Sequence, residues 1–321
     1  MRYSRQVIFE KIGNEGQKLL KKSKVIILGL GATGTRSAEL LARAGIGNLI
    51  LIDRDIVELS NLQRQTLFTE EDINKSKATA AKAHLEKINS QIKVRAVFKD
   101  INPKNIESNI NGDLILDCTD SLETRFLLNE YSIEKNIPWI FASIIGSSGM
   151  LFNFIPNKSP CFKCIFQEPE VSLGTCDTEG IMNTTASMVA AMQVTEALKL
   201  LTKQPYNKEL IYFDVWKEKI TKTKAVKNPN CKTCNNKQFE YLTGEKFTET
   251  VKICGGSTFQ IRGRKLNLEE VARKLRKIGK VFVNEYCLQF NEMIIFPDGR
   301  AFVEAETQEK AKSIYTKYIG N

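Results

Sequence analysis

Cys161 and Cys164 form one Cys-x-x-Cys pair, Cys231 and Cys234 form a second, and a glycine-rich stretch, Gly29-Leu30-Gly31-Ala32-Thr33-Gly34, lies far upstream of both. Each cysteine pair sets two thiolates on a tight turn at metal-ligand spacing, and two such turns can close a tetrahedral four-thiolate zinc site. Either pair alone is also compatible with a redox dithiol or with buried free thiols. The glycine stretch lies at the end of the hydrophobic run Lys24–Leu30. Gly29 and Gly31 let the chain turn tightly and approach a phosphate, and Gly34 lets a helix pack closely. Asp53 lies 24 residues beyond Gly29, where an acid can hydrogen-bond a ribose hydroxyl. Read alone, this set fits a dinucleotide oxidoreductase as well as an ATP enzyme, or a plain tight βα turn.

The surrounding pattern alternates strands and helices, as in a parallel sheet wound with helices on both faces. Lys24–Leu30 reads as a buried strand, Thr35–Ala44 as a helix and Asn48–Asp53 as a second strand ending in an acid. Ser76–Ile88, Leu122–Lys135 and Asn183–Leu201 carry helical spacing; Lys93–Phe98, Leu114–Asp117, Trp139–Ser143, Gly149–Ile155, Leu210–Asp214 and Lys217–Thr223 read as strands. Pro160–Gly180 is a cysteine-bearing loop. The expected fold is therefore α/β, a Rossmann-like, doubly wound, mostly parallel sheet with a four-cysteine zinc clip. Residues 1–240 form the nucleotide-binding domain and 250–321 a small α/β appendage, with Asp298-Gly299 as a hairpin turn.

Downstream of the glycine turn stand Ser60-Asn61-Leu62-Gln63-Arg64-Gln65, Lys77, and Asp117-Cys118-Thr119-Asp120 followed by Ser121. A hydride-transfer site needs no such group of phosphate-handling residues. A triphosphate does, because it requires cationic contacts and a divalent ion, and the ion requires a carboxylate. Asp120 follows an apolar strand and so falls at its carboxyl end, where open α/β sheets bind ligands. Taken singly, Lys77 could instead serve its helix terminus and Arg64 a surface ion pair.

These motifs, in this order and followed by the two cysteine pairs, resemble the adenylyltransferases that activate ubiquitin-like sulfur carriers, the ThiF/MoeB/HesA-type family related to the ubiquitin-activating enzymes. The resemblance covers roughly Arg2–Cys234. It implies a homodimer that uses Mg-ATP to adenylate the C-terminal glycine carboxylate of a carrier ending in Gly-Gly, with release of pyrophosphate. Carried over position by position, it implies that Gly29, Gly31, Ala32 and Gly34 approach the nucleotide and that Asp53 holds the ribose. Ser60, Asn61, Arg64 and Lys77 would contact the phosphates, Asp120 would bind magnesium, and Ser121 would contact the nucleotide beside it. Arg5, in Arg2-Tyr3-Ser4-Arg5-Gln6, matches the family's arginine that reaches the partner subunit's triphosphate. Cys176, in Gly174-Thr175-Cys176-Asp177, matches a cysteine that in some relatives forms a thioester or acyl-disulfide with the carrier. Two departures stand out. Ala32-Thr33 occupies a place where relatives often have a further glycine, and the appendage is too short for the sulfurtransferase module some relatives carry.

Composition is that of an ordinary soluble globular protein. Hydrophobic residues make up 42% and charged residues 26% of the 321 positions, which excludes a disordered chain. No run of about eighteen apolar residues is present, which argues against a membrane span, and the N-terminus lacks a leader-like apolar region; a cytoplasmic, reduced setting is expected, where eight cysteines serve metals or thiol chemistry. The net charge of +10 comes from dispersed lysines; it fits an acidic partner or a merely lysine-rich surface, and no motif points to nucleic acid. His84 is the single histidine, so histidine-dependent triads are excluded, and it reads as a surface or packing residue. Cys118, Cys254 and Cys287 read as packing thiols. Two other classes remain open on sequence alone, an NAD-dependent oxidoreductase and a non-catalytic, zinc-stabilised scaffold.

Overall fold

The computed structural model describes residues 2–167, 180–248, 250–252 and 257–320. They fall into two compact units, the first ending at Lys246 and the second running from Phe247.

The first unit begins with α1 (Ser4–Ile8) and α2 (Gly13–Lys22), then β1 (Lys24–Leu28), α3 (Ala32–Ala44), β2 (Asn48–Asp53), α4 (Lys77–Ile88), β3 (Lys93–Phe98), α5 (Ile106–Asn109), β4 (Leu114–Asp117) and α6 (Leu122–Lys135). It continues with β5 (Trp139–Ile145), β6 (Ser148–Phe154), α7 (Phe162–Ile165), α8 (Asn183–Leu201), β7 (Glu209–Asp214) and β8 (Lys219–Lys224). Among the described residues these strands form one sheet in the order β3-β2-β1-β4-β5-β6-β7-β8. The first five pair in parallel and the last three join antiparallel. This is the wound, mostly parallel sheet the sequence pattern implies.

Strand periodicity sorts the core into two layers. Val25 and Ile27 of β1 face one layer with Leu41 of α3, Leu85 of α4 and Val194 of α8. Ile26 and Leu28 face the other, with Phe126 and Tyr131 of α6, Trp139 and Phe141. A strand covered on both faces must be apolar at consecutive positions, and β1 is. At the far edge, β8 is exposed along its whole length; Lys219, Lys222 and Lys224 charge that edge, which discourages pairing with another sheet.

Two boundaries differ from the sequence reading for one reason. The first strand stops at Leu28 and the following helix starts at Ala32, because Gly29 adopts φ +90° and Gly31 is the extended residue that opens α3. The turn is thus tighter than a strand to Leu30 would allow, and the amides of the glycine motif belong to the helix terminus itself. Similarly, Ser76 caps α4, its Oγ accepting the Thr79 N–H at 3.4 Å.

The second unit holds β9 (Thr250–Lys252), β10 (Thr258–Ile261), α9 (Leu268–Leu275), β11 (Phe282–Val283), β12 (Leu288–Phe290), β13 (Met293–Ile295), β14 (Ala301–Glu304) and α10 (Gln308–Ile319). Its strands form an antiparallel sheet in the order β11-β12-β13-β14-β10-β9, and residues of both helices share its apolar core. Asp298-Gly299 makes the turn from β13 to β14: Gly299 takes φ +89° and donates its N–H to the Phe296 carbonyl at 3.0 Å.

A Cβ built on Gly34 would stand 1.9 Å from the Gly29 carbonyl oxygen, so the turn and α3 cannot coexist with a larger residue there. Gly34→Ala is expected to destabilise the first unit by about 2 kcal/mol or more, since the obstructing atom is backbone and cannot swing aside. Urea unfolding measures this; a loss of less than about 0.5 kcal/mol would mean the turn relaxes freely.

Candidate functional site

The strand order reverses direction at β1, whose neighbours are β2 on one side and β4 on the other. Crevices at such a switch point, outside the carboxyl ends of the strands, are where wound sheets bind ligands. The glycine turn sits in this crevice. Gly29 donates its N–H to the Ile52 carbonyl of β2 at 2.8 Å, and Cys118, just past β4, donates its own to Leu28 at 2.8 Å. A Cβ on Gly29 would lie 2.6 Å from the Cys118 carbonyl oxygen, whereas one on Gly31 would meet nothing within 4 Å. Gly29 and Gly34 therefore serve packing, and Gly31 fronts open space. No side chain caps the N-terminus of α3, and an uncapped helix start is a natural seat for an anion.

Asp53 closes the turn from β2. One carboxylate oxygen accepts the Leu30 N–H at 2.5 Å and the other the Asp55 N–H at 2.7 Å. Burial, then the Asp55 carboxylate, push its pKa up against the pull of Lys77. Lys77, the first residue of α4, is buried, with its ammonium 3.5 Å from Asp55. Burial alone would lower the Lys77 pKa; Asp55, Asp53, Glu58 and Asp120 together outweigh it and hold the amine above its ordinary value. Asp120 is exposed beyond β4 and acts electrostatically on both Lys77 and Arg54. The glycine turn, Asp53, Lys77 and Asp120 thus share one crevice.

Sequence reasoning missed Arg54, Asp55 and Asp100. The Arg54 guanidinium bridges Asp100 at 3.3 Å and Asp55 at 3.7 Å. Burial opposes its charge, but Asp100, Asp55, Asp120 and Asp53 more than restore it. An arginine between two acids at a strand end was the available signal.

The remaining expected residues make local contacts. Asn61 is buried in a short turn of 3₁₀ helix (Leu59–Asn61), where its Oδ1 accepts the Glu58 N–H at 3.3 Å. The Ser60 hydroxyl faces Glu58 at 3.4 Å, and the Arg64 guanidinium folds back onto the Ser60 carbonyl at 2.9 Å. Ser121 caps α6, its Oγ accepting the Thr124 N–H at 3.3 Å. Arg5 is exposed on α1; its neighbour Gln6 donates to the Ala44 carbonyl at 2.8 Å, at the opposite end of α3 from Gly31. Cys176 and Cys254 lie outside the described residues. His84 is half-buried, 2.6 Å from Asp72.

Two buried polar groups unforeseen in the sequence hold the floor. Arg125 of α6 pairs with the fully buried Asp117 at 3.0 Å and donates to the carbonyls of Thr119 and, at 3.1 Å, Ala142. Gln193, in the middle of α8, donates to the Asp117 and Ile140 carbonyls at 2.9 and 3.0 Å, and accepts from Ser37 at 3.0 Å and the Cys118 thiol at 3.3 Å. Burial, then Asp117, push the Cys118 thiol well up, so it stays protonated. A glutamine inside an otherwise apolar helical stretch was the visible sign. Cys287 is buried in the second unit, which pushes its thiol up to about 11.

Away from the crevice, Cys161, Cys164, Cys231 and Cys234 converge, with their sulfurs all within 4.8 Å of one another. Separations of 3.6 Å for Cys161–Cys231, 3.5 Å for Cys164–Cys234 and 3.8 Å for Cys161–Cys164 are close to the roughly 3.8 Å edge of a tetrahedral zinc–thiolate site. The Asn228 N–H points at the Cys164 sulfur, 3.4 Å away. Donor type, number and spacing all fit a closed zinc site.

No helix among the described residues is long and apolar enough to cross a membrane. Residues 3–234 match the ThiF family. The sulfur carrier protein ThiS adenylyltransferase of Bacillus subtilis is 40% identical, with 99% of each chain covered. The molybdopterin-synthase adenylyltransferase of Escherichia coli is 32% identical over 73% of this chain and 96% of its own. Among solved structures, Escherichia coli MccB with ATP superposes with a TM-score of 0.65 at 26% identity, covering 74% of this chain and 75% of that one. With matches of this breadth, the chain belongs to the ThiF family and is an adenylyltransferase.

Proposed function

We propose that the protein uses Mg-ATP to adenylate the C-terminal glycine carboxylate of a ubiquitin-like sulfur carrier ending in Gly-Gly, acting as a cytoplasmic homodimer in cofactor biosynthesis. The observation that carries this reading is the open, uncapped terminus of α3 at Gly31, set beside Asp53, Lys77 and Asp120 in one crevice. The names of the relatives supply the acceptor class: ThiS and molybdopterin-synthase adenylyltransferases.

In this reading the α3 amides receive phosphate oxygens and Asp53 receives the ribose. Lys77, kept charged by its acidic neighbours, lends its ammonium to the triphosphate; Arg64 adds its guanidinium by releasing the Ser60 carbonyl, and Ser60 and Asn61 add their hydroxyl and amide N–H donors. Asp120 would hold magnesium, which supplies charge neutralisation on the phosphates when bound. The carrier's carboxylate oxygen attacks the α-phosphorus, an O–P bond forms, the bond from the α-phosphorus to the bridging oxygen breaks, and pyrophosphate leaves. No proton needs to be removed from a carboxylate nucleophile, so a site without histidine suffices. Catalysis then rests on positioning and charge compensation.

Arg5 is assigned to the partner subunit's site. Its segment docks at the Ala44 end of α3, a helix of 13 residues, hence about 20 Å along the axis from Gly31. The four-cysteine cluster is assigned a structural zinc ion, which supplies cross-linking of the two cysteine loops and no chemistry. Cys176 is assigned attack on the acyl adenylate, its sulfur forming a thioester with the glycine carbonyl as AMP leaves.

ATP–pyrophosphate exchange that requires a Gly-Gly carrier tests the reaction. Asp120→Ala is expected to lower exchange by about a thousandfold, in line with loss of a charge-stabilising group; near-normal exchange would remove Asp120 from the mechanism. Cys176→Ser is expected to keep exchange and lose the carrier adduct in intact-mass spectra; an adduct that persists would sink the covalent assignment. Freshly purified protein is expected to contain one zinc per chain, and Cys161→Ser to lose both metal and thermal stability. Metal-free, fully stable protein would contradict the zinc assignment.

A further inference from the structure

The crevice and the cysteine cluster are joined by one helix. At the start of α6, Arg125 grips the strand-end loop that carries Asp120, pairing with Asp117 at 3.0 Å and donating to the Thr119 carbonyl. Its guanidinium lies 4.9 Å from the Phe141 ring centroid, so it has little freedom to shift alone. One turn later, about 6 Å along the axis, Asn129 and Glu130 grip both cysteine loops. Asn129 accepts the N–H of Phe162, the residue after Cys161, at 2.8 Å. Glu130 accepts the N–H groups of Tyr241 and Leu242, beyond Cys234, at 2.9 and 2.8 Å. Phe126, between the two grips, packs against Phe162 and Tyr241 with ring centroids 5.1 Å away in each case.

The cysteine end also holds an unusual polar group. Asn129 is buried, its Nδ2 has no hydrogen-bond partner among the described residues, and it lines a cavity of about 20 Å³ with Cys161 and Cys234. A buried amide donor left unmatched beside sulfur ligands is costly unless a water or a sulfur accepts from it.

We infer that α6 is a strut through which the filled cysteine cluster sets the position of the Asp117–Asp120 loop. Arg125 is the positioning residue at the nucleotide end, and Asn129 and Glu130 are the positioning residues at the metal end. The physical basis is a short, continuous chain of buried bonds: the cysteine loops hold Asn129 and Glu130, the helix transmits their position, and Arg125 fixes the loop. When the cluster loses its metal, the loops that hold Asn129 and Glu130 lose their cross-link, α6 loses its anchor, and the loop bearing Asp120 loosens. The magnesium role of Asp120 rests on the adenylation reading above; the coupling itself does not.

Hydrogen exchange of the zinc-loaded protein tests the strut without nucleotide. Exchange at residues 117–121 is expected to rise after metal removal with a mercurial and chelator, and also in zinc-replete Asn129→Leu, while β1 and β2 keep their protection. Unchanged exchange at 117–121 in zinc-replete Asn129→Leu would overturn the proposal, and that variant decides alone if metal removal unfolds the chain. Should Asn129→Leu fail to fold, Glu130→Met, which removes the acceptor of the Tyr241 and Leu242 N–H groups, takes its place with the same two outcomes. In the exchange assay, the variant is expected to raise the magnesium concentration for half-maximal rate at least about threefold, a shift that simple loss of folded protein would not produce. A protein that passes the hydrogen-exchange test but shows no ATP–pyrophosphate exchange would sink the adenylation reading and leave the strut standing.

Discussion

The architecture of the site depends on how closely the backbone after β1 approaches the backbone after β4. At Gly29 the chain turns with φ +90°, a Cβ there would lie 2.6 Å from the Cys118 carbonyl oxygen, and the Gly29 carbonyl in turn leaves no room for a Cβ on residue 34. That double contact lets α3 begin at Ala32, directly after the turn at the switch point, with no side chain capping its start. Asp53 locks the arrangement from the β2 side by accepting the Leu30 N–H. Two elements of the sheet are thus joined through a turn that only glycine permits, and the anion seat follows from their closeness.

The electrostatics extend the same logic. Acids gathered at strand ends would repel a nucleotide, yet Arg54 and Lys77 are inserted among them and stay charged despite burial. The crevice therefore carries cations held in place by carboxylates instead of by solvent. This pre-organises charge at little cost when ligand arrives. Beneath it, Arg125 and Gln193 satisfy the carbonyls that the strand ends would otherwise leave unpaired.

Much of this was legible in the sequence, and for identifiable reasons. The glycine turn, Asp53 and the cysteine pairs depend on local spacing, which a sequence displays directly. The parallel order followed from alternating apolar strands and amphipathic helices, and β1 is apolar at consecutive positions as a doubly covered strand must be. What stayed hidden depends on distant partners. Arg54 draws its meaning from Asp100, 46 residues away, and Gln193 from Asp117, 76 residues away; neither spacing is a motif. The start of α3 was misplaced because the positive φ of Gly29 ends the strand early, a property that apolar patterning does not encode. The cap that the Ser121 hydroxyl places on α6 is a further contact that the motif does not display.

A crystal structure of the protein with a non-hydrolysable ATP analogue and magnesium would test the central claim most directly. The account requires phosphate oxygens on the amides of Gly31–Thr33, the ribose on Asp53, and the Lys77 ammonium within reach of the triphosphate. A nucleotide bound elsewhere, with the α3 terminus and Asp53 untouched, would contradict it.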